Sequence, residues 1–172
     1  PWTIDVVCIA GGTVLHRAAG AGRDNFVTQI LALRPEMISV VDDFGWNALM
    51  SAVSGGHQSV AERLLAIKPD LIFQVSTRGA RCRTALHVAV EDCSACPQFV
   101  AKLWRMNPQA LTLPDSESKT PFYYAVCLEK EELVELFQWS LSFDDIVTLL
   151  KDVSYEERFR LVMEQQCELL FE

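Results

Sequence analysis

The sequence lacks features that mark several classes of protein. No apolar run reaches the roughly 18 residues that a membrane-spanning helix needs. Basic residues are few, because 15 Lys and Arg stand against 23 Asp and Glu and leave a net charge of −8. Nucleic-acid binding depends largely on clustered Lys and Arg. We therefore expect neither membrane insertion nor nucleic-acid binding.

Familiar catalytic motifs are missing as well. The sequence contains no Gly-x-Ser-x-Gly, no His-Glu-x-x-His and no glycine-rich phosphate loop. We therefore expect that the chain is not an enzyme and uses no cofactor. Its six cysteines have no regular spacing and follow no secretory signal, so we expect them to stay reduced in a cytoplasmic compartment. The chain starts at Pro1 without an initiator methionine, and we expect it to be a piece of a longer protein.

Four segments repeat one short pattern, and their first residues lie 34, 37 and 36 positions apart. A period in this range is typical of stacked repeats, in which each unit contacts mainly its neighbours. The sequence therefore predicts one elongated domain with a continuous core. The four segments are Thr13–Ala19, Asn47–Val53, Thr84–Val90 and Thr120–Val126.

Each repeated segment is followed by a second apolar stretch with helical spacing. Glycine-rich turns separate the two stretches, as at Gly20–Gly22 and Gly55–His57. A proline then ends the second helix, because the residue before proline is pushed out of the α conformation. Each unit is thus predicted to be two antiparallel helices and a projecting loop. The second stretches are Phe26–Leu31, Val60–Leu65, Phe99–Trp104 and Leu133–Phe137.

The Thr-x-Leu-His-x-Ala motif, the Gly-His between helices and the lead-in at Asp42–Gly45 resemble ankyrin repeats over about residues 8–140. The resemblance implies an all-α solenoid of stacked helix-turn-helix units, with short hairpin or loop fingers and a concave binding face. The units are placed at about 8–41, 42–75, 76–114 and 115–140.

Residues 141–172 leave the repeat pattern. Two helices are predicted there, the second opened by a capping box at Ser154–Glu157. We expect this pair to cap the stack, because end repeats otherwise expose apolar surface.

The units depart from the ankyrin pattern at several positions. Asn47 and Met50 replace the usual Thr and His in the second unit, and Tyr123 replaces the His in the fourth. The third unit carries extra residues at 78–83 and a longer turn at 93–98. We expect these changes to alter local structure but not the fold.

The resemblance implies that partner contacts come from the fingers and from the ends of the first helices. Trp46 has two interpretations: it anchors a partner, since Trp is enriched at interface hot spots, or it packs on the neighbouring finger through Phe44. The predicted partner-binding residues are Asp43, Phe44, Trp46 and Ser54 in the second unit, Arg81, Arg83, Glu91 and Asp92 in the third, and Glu117, Lys119 and Leu128 in the fourth.

Three arginines in the third unit suggest a local positive patch. Arg78, Arg81 and Arg83 lie on one inserted loop of an acidic protein. They are predicted to face an acidic segment of the partner, because arginine binds carboxylates in a bidentate manner. The alternatives are that they form ordinary solvated surface or are neutralised by Glu91 and Asp92.

A zinc- or thiol-dependent site in the third unit is a weaker alternative. Cys93 and Cys96 have a Cys-x-x-Cys spacing, with Cys82 and His87 nearby, and zinc binds thiolate and imidazole groups. The second pair that makes such motifs persuasive is absent. The resemblance also implies that the His87 ring bonds backbone within the fold. No metal site is therefore predicted.

We therefore expect a protein–protein interaction module that binds its partner through the concave face. The alternative is a substrate-recruiting domain of a larger enzyme, such as a bacterial effector acting in host cells. In that case the host cytosol is its place of action.

Overall fold

The computed structural model describes residues 11–76, 81–91 and 96–138. In these ranges the chain forms eight α-helices, and a short 3-10 helix follows each of α2, α4 and α6. The α-helices are α1 Val14–Gly20, α2 Asp24–Leu33, α3 Ala48–Ser54, α4 Gln58–Ile67, α5 Ala85–Glu91, α6 Pro97–Met106, α7 Pro121–Cys127 and α8 Glu131–Gln138. The 3-10 helices are Pro35–Ser39, Pro69–Phe73 and Pro108–Leu111.

The helices form four antiparallel pairs that stack in chain order. The first helices α1, α3, α5 and α7 pack on one another in sequence, and contacts between second helices join α2 to α4 and α6 to α8. Among the described residues β structure is limited to an isolated antiparallel bridge between Val75 and Thr84. The predicted all-α repeat solenoid is confirmed. The predicted two-helix cap at 141–172 lies outside the described residues.

Two positions of the repeated motif build the core between neighbouring first helices. The third position is Leu15, Leu49, Leu86 or Phe122, and the sixth is always alanine. The side chains at the third position are at most 2% exposed, so they fill the space between helix pairs. The alanines are buried too and add little bulk, which allows the first helices to approach closely.

Two buried histidines each form a hydrogen bond from their own repeat to the loop that begins the next repeat. His16 accepts a hydrogen bond at Nδ1 from the Thr13 N–H, over 3.2 Å, and its Nε2 lies 3.0 Å from the Trp46 carbonyl oxygen. His87 has the same contacts with the Thr84 N–H, at 3.2 Å, and the Lys119 carbonyl, at 3.2 Å. Since Nδ1 accepts, Nε2 carries the proton and donates it to the carbonyl. The expectation that His87 bonds backbone within the fold is confirmed.

The second repeat makes this connection differently, because Met50 occupies the histidine position. Asn47 accepts a hydrogen bond from the Met50 N–H over 2.9 Å and so caps α3. Its amide nitrogen donates to the Leu71 carbonyl, at 3.1 Å, and to Gln74 Oε1, at 2.8 Å. One fully buried amide therefore replaces both the threonine cap and the histidine bridge.

Replacing Asn47 with alanine is expected to destabilise the fold by about 2–4 kcal/mol. The change removes a helix cap, which contributes about 1 kcal/mol, and leaves the buried Leu71 carbonyl without this donor, which costs about 1–3 kcal/mol. The measurement is the free energy of unfolding in urea.

Thr120→Ala is the matched control for that change. The Thr120 hydroxyl also caps its helix, accepting from the Tyr123 N–H over 3.1 Å. Thr120→Ala is expected to lower the free energy of unfolding by about 1 kcal/mol, because only the helix cap is lost. Equal losses in the two variants would show that the bridge from Asn47 contributes nothing.

Candidate partner-binding surface

The loops before α3 and α7, which we call the second and fourth fingers, are shaped by one carboxylate each. Asp42 Oδ1 accepts hydrogen bonds from the N–H groups of Phe44, at 2.9 Å, and Trp46, at 2.8 Å. Asp115 Oδ1 accepts from those of Glu117, at 2.8 Å, and Lys119, at 3.0 Å. Charge-assisted bonds of this kind are stronger than neutral ones. Both fingers are therefore held in fixed conformations.

The third finger, before α5, uses a hydroxyl in the same place. Ser76 Oγ accepts from the Arg83 N–H over 2.8 Å and donates to the Arg81 carbonyl over 2.9 Å. The Ser76 N–H also donates to the Arg83 carbonyl, at 2.8 Å, as the Asp42 N–H does to that of Trp46, at 2.9 Å. The base of the third finger is therefore closed by the same backbone bond as that of the second, and residues 77–80 lie outside the described residues.

The tip of the second finger exposes an aromatic ring beside a carboxylate. Asp43 is exposed, and Phe44 is 53% exposed although it is large and apolar. The turn needs Gly45, whose φ of 77° lies in the left-handed region that side chains disfavour. Phe44 is thus presented to solvent by an ordered loop.

Trp46 contributes to the fold as well as to the finger. Its side chain is half-buried and packs against the hydrophobic core. Its backbone N–H and carbonyl bond Asp42 and His16. Packing on the neighbouring finger through Phe44, the sequence-based alternative, stays a prediction. The binding role of Trp46 stays a prediction.

Arg83 is buried at the junction between the third and fourth repeats. Its side chain forms a bidentate ion pair with Glu91. One of its terminal nitrogens also donates to the Tyr124 hydroxyl over 3.2 Å. The guanidinium carbon lies 5.2 Å from the centre of the Tyr124 ring, within range of a cation–π interaction. Burial opposes its charge, but these bonds outweigh that effect and raise the Arg83 pKa.

Tyr124 carries this connection into the fourth finger. Its hydroxyl donates to Asp115 Oδ2 over 2.8 Å, while Asp115 Oδ1 organises the finger itself. Burial alone would raise the pKa of Asp115, but hydrogen bonds from the Lys119 N–H, the Tyr124 hydroxyl and the Glu117 N–H hold it below its usual value. The third repeat therefore fixes the conformation of the fourth finger through one continuous chain of hydrogen bonds.

Arg81 and Lys119 complete this group, which we call the finger network. Arg81 pairs with Glu117 at 2.9 Å and with Glu91 at 3.6 Å, and Lys119 pairs with Glu117 at 3.1 Å. The finger network contains three cations and three carboxylates, so it has no net charge. The members are Arg81, Arg83, Glu91, Asp115, Glu117, Lys119 and the uncharged Tyr124.

The prediction that Arg81 and Arg83 form an exposed positive patch is therefore wrong. Arg83 is only 8% exposed, and Arg81 is paired with two glutamates. Both arginines are instead neutralised by carboxylates, which was the alternative considered from the sequence. The carboxylates are Glu91 and Glu117. Arg78 and Asp92 lie outside the described residues.

The comparison with protein families agrees with this architecture. The protein-family model described as "Ankyrin repeats (3 copies)" matches residues 3–74 of the sequence. This part of the chain, 72 of its 172 residues, is therefore similar to ankyrin repeats. Ankyrin repeats are generally protein–protein interaction modules and are typically non-catalytic. No curated protein matches the chain.

The side chains of the remaining predicted contacts lie outside the finger network. Ser54 is half-buried at the end of α3, and Leu128 is exposed just after α7. Within the described ranges no hydrogen bond or ion pair joins Asp43, Phe44 or Ser54 to the network. Leu128 is joined to it by its backbone alone, because its N–H donates to the Tyr124 carbonyl over 2.9 Å. The predicted residues thus include one bonded group in repeats three and four, and the side chains of Asp43, Phe44, Ser54 and Leu128 lie outside it.

Sequence reasoning missed two members of the finger network. Asp115 could have been found, because it occupies the same repeat position as Asp42. Tyr124 had no such signal, since the equivalent residues are Arg17, Ser51 and Val88. Its importance depends on Arg83 being buried beside it, which the sequence does not show.

The described part of the chain offers no metal site. None of its His, Cys, Asp and Glu residues form a group of three or more that could hold a metal ion. The Cys96 thiol donates to Gln58 Oε1 over 3.4 Å. Both ring nitrogens of His87 are already engaged with Thr84 and Lys119. Cys93 lies outside the described residues. No helix in the described ranges has the length and apolar character to cross a membrane.

Tyr124→Phe is expected to destabilise the protein by about 1–3 kcal/mol. The change keeps the ring but leaves the buried Asp115 Oδ2 and an Arg83 nitrogen without this partner. Urea unfolding measures the loss, and amide hydrogen exchange at Glu117 and Lys119 reports loosening of the fourth finger.

The control for Tyr124→Phe is Glu36→Gln, which breaks the exposed pair between Arg34 and Glu36. Surface pairs contribute little, so no change in stability or in finger exchange is expected. Unchanged exchange in Tyr124→Phe would contradict the role given to the finger network.

Stability is also expected to fall as the pH is lowered from about 7.5 to about 5.5. Burial lowers the pKa of His16 and His87 below the ordinary value of 6.5. The unfolded chain therefore binds more protons in this range, so stability is complete only well above pH 6.5, near pH 7.5, and is lost as the pH falls towards the folded-state pKa. Urea unfolding across the range measures the slope.

His87→Met provides the test of that cause, because the second repeat carries Met50 at the same position. The variant should be less stable at all pH values, but its stability should change with pH about half as steeply, since one of two titrating histidines is gone. An unchanged slope would assign the pH dependence to other groups.

Proposed function

We propose that this chain binds a partner protein through its concave finger face, with the second finger as the main contact. The observation that carries the proposal is the exposure of Phe44 on a loop fixed by Asp42. More than half of this large apolar side chain lies in solvent, although the loop that carries it is ordered. Burying its exposed half on binding would contribute about 1–2 kcal/mol.

Rigidity supports the same proposal. Binding is weakened when loops and side chains must be ordered at the interface. Here Asp42, Ser76 and Asp115 close the three fingers, and the finger network joins the third finger to the fourth. A partner therefore meets a surface that is already ordered.

The chemistry of the partner follows from these contacts. The finger network is neutral, so it favours a partner with polar groups of both signs over an acidic segment. Phe44 favours an apolar or aromatic residue opposite the second finger, with a basic residue beside it to meet Asp43. The proposed partner contacts are therefore Asp43, Phe44 and Trp46, together with Ser54 and Leu128 at the ends of α3 and α7.

The cellular compartment in which the chain acts is also part of the proposal. Cys82 and Cys96 are exposed cysteines without a disulfide, as expected in a reducing cytoplasm. Recruiting a substrate for a larger enzyme, including an effector in a host cell, would use the same face and the same residues.

Phe44→Ala should weaken partner binding about five- to thirtyfold, with only a small change in the melting temperature. The wild-type and variant chains are immobilised in parallel, proteins captured from cells of the source organism are identified, and the affinity of each purified candidate is then measured.

Phe26→Ala is the matched control, because Phe26 is 61% exposed on α2, away from the fingers. It should leave binding unchanged. If Phe44→Ala and Phe26→Ala bind the partner as tightly as the wild type, the finger face is not the binding site.

A further inference from the structure

Two positions of the repeated motif line the inner face of the first helices, beside the fingers. Tyr124, at the fifth position, donates to Asp115 of the fourth finger. Glu91, at the eighth position, pairs with Arg83 of the third finger. Residues three apart lie on the same side of a helix. The fifth and eighth positions of every repeat therefore belong to the inner face.

The inner face differs between the two halves of the array. At the fifth position Val88 and Tyr124 are only 4% and 8% exposed, so this face is closed in repeats three and four. Arg17 holds the same position in the first repeat and is exposed, and Ser51 in the second repeat is half-buried. The inner face is therefore open to a partner in repeats one and two.

Four residues of these two repeats form one surface, which we call the inner patch: Arg17, Gly20, Ser51 and Ser54. Gly20 lies about one turn after Arg17 on α1. A Cβ on Gly20 would lie 3.4 Å from the Ser51 carbonyl oxygen, so α1 and α3 are in contact there. Ser54 follows Ser51 by about one turn of α3 and is half-buried. The side chains of the inner patch thus contribute one guanidinium, two hydroxyls and no carboxylate.

The guanidinium of Arg17 is not used by the fold. The finger cations Arg81, Arg83 and Lys119 all pair with carboxylates. In the described part of the chain the Arg17 side chain forms no ion pair and no hydrogen bond. Its place in the last turn of α1 favours a cation of either kind, because the helix dipole is negative at that end. An arginine, with its fork of N–H donors, is more than the helix needs.

The inner patch offers hydrogen-bond donors that suit an oxyanion. A guanidinium binds a carboxylate through two parallel hydrogen bonds, and serine hydroxyls donate to oxygens of the same kind. The Ser51 hydroxyl makes only a long bond within the chain, to the Asn47 carbonyl over 3.5 Å. The Ser54 hydroxyl makes none among the described residues. A carboxylate bound at Arg17 therefore meets further free donors beside it.

The charges around the inner patch limit what carries that carboxylate. The net charge of −8 repels strongly acidic proteins at long range. His16, the neighbour of Arg17, bonds the Trp46 carbonyl and so joins α1 to the second finger. That finger exposes Asp43, which attracts a basic residue. A single Asp or Glu in a segment of mixed charge therefore fits better than an acidic tract.

We propose that Arg17, with the adjoining hydroxyls of Ser51 and Ser54, binds the carboxylate of an Asp or Glu side chain in the partner protein. This role of Arg17 depends on the proposed binding through the finger face and adds a second point of recognition to the apolar contact at Phe44. The recognised segment carries an apolar residue for the second finger and an acidic residue for the inner patch. Repeats one and two thus select the partner by charge as well as by apolar contact.

A phage-displayed library of random 12-residue peptides tests this role. It is selected in parallel on the wild-type, Arg17→Gln, Arg105→Gln and Phe44→Ala chains. Peptides selected by the wild type should be enriched in Asp or Glu at a fixed distance from an apolar residue, and Arg17→Gln should lose the acidic enrichment. Arg105→Gln is the matched control, because Arg105 is also exposed in the last turn of its helix but lies on α6, away from the fingers. It should keep the enrichment.

Fluorescence anisotropy of one selected peptide then measures the contact itself. Arg17→Gln should weaken binding about three- to thirtyfold, between the effects of exposed and of buried charge pairs. Replacing the acidic residue of the peptide by its amide should weaken binding equally. Combining the two changes should add little, because each removes the same interaction.

The role of Arg17 is overturned if no peptide is selected, if no acidic position emerges, if that position survives Arg17→Gln, or if the two losses are additive. Phe44→Ala separates this result from the proposed function, since it should remove the apolar preference and keep the acidic one. Peptides that depend on Arg17 but not on Phe44 would support the inner patch and contradict the second finger as the main contact. Peptides that depend on Phe44 but not on Arg17 would do the reverse.

Discussion

Side chains at the starts of α1, α3 and α5 hold the next unit in place, and the arrangement of the fingers depends on these bonds. His16 and His87 reach a carbonyl at the base of the following finger, and Asn47 reaches the segment after α4. Each of these side chains also accepts a backbone N–H at its own helix start. One residue thus begins a helix and positions its neighbour, so local and long-range structure form together.

The finger network is built on this frame. His87 positions the Lys119 carbonyl, while Asp115 bonds the N–H of the same residue. The fourth finger is therefore held from two sides, by the histidine of the third repeat and by its own carboxylate. Arg83 and Tyr124 connect these two supports, which explains why a charged arginine is buried where an exposed one was expected.

Periodicity made the fold predictable from the sequence. The 34- to 37-residue intervals, the prolines after the second helices and the alanines of the motif specify helix pairs and their stacking. Loop side chains were less predictable, because their positions depend on residues from two repeats. Arg81 and Arg83 lie close in sequence, yet one is half-exposed and the other buried, since only Arg83 reaches Tyr124.

The third finger shows that finger length and stack geometry are independent. Ser76 and Arg83 close its base with the same backbone bond as Asp42 and Trp46, although three more residues separate them. Residues beyond that closure can be added or lost with only the modest entropic cost of a longer loop. Such an array can acquire new partners by changing the reach of one finger while its core sequence stays constant.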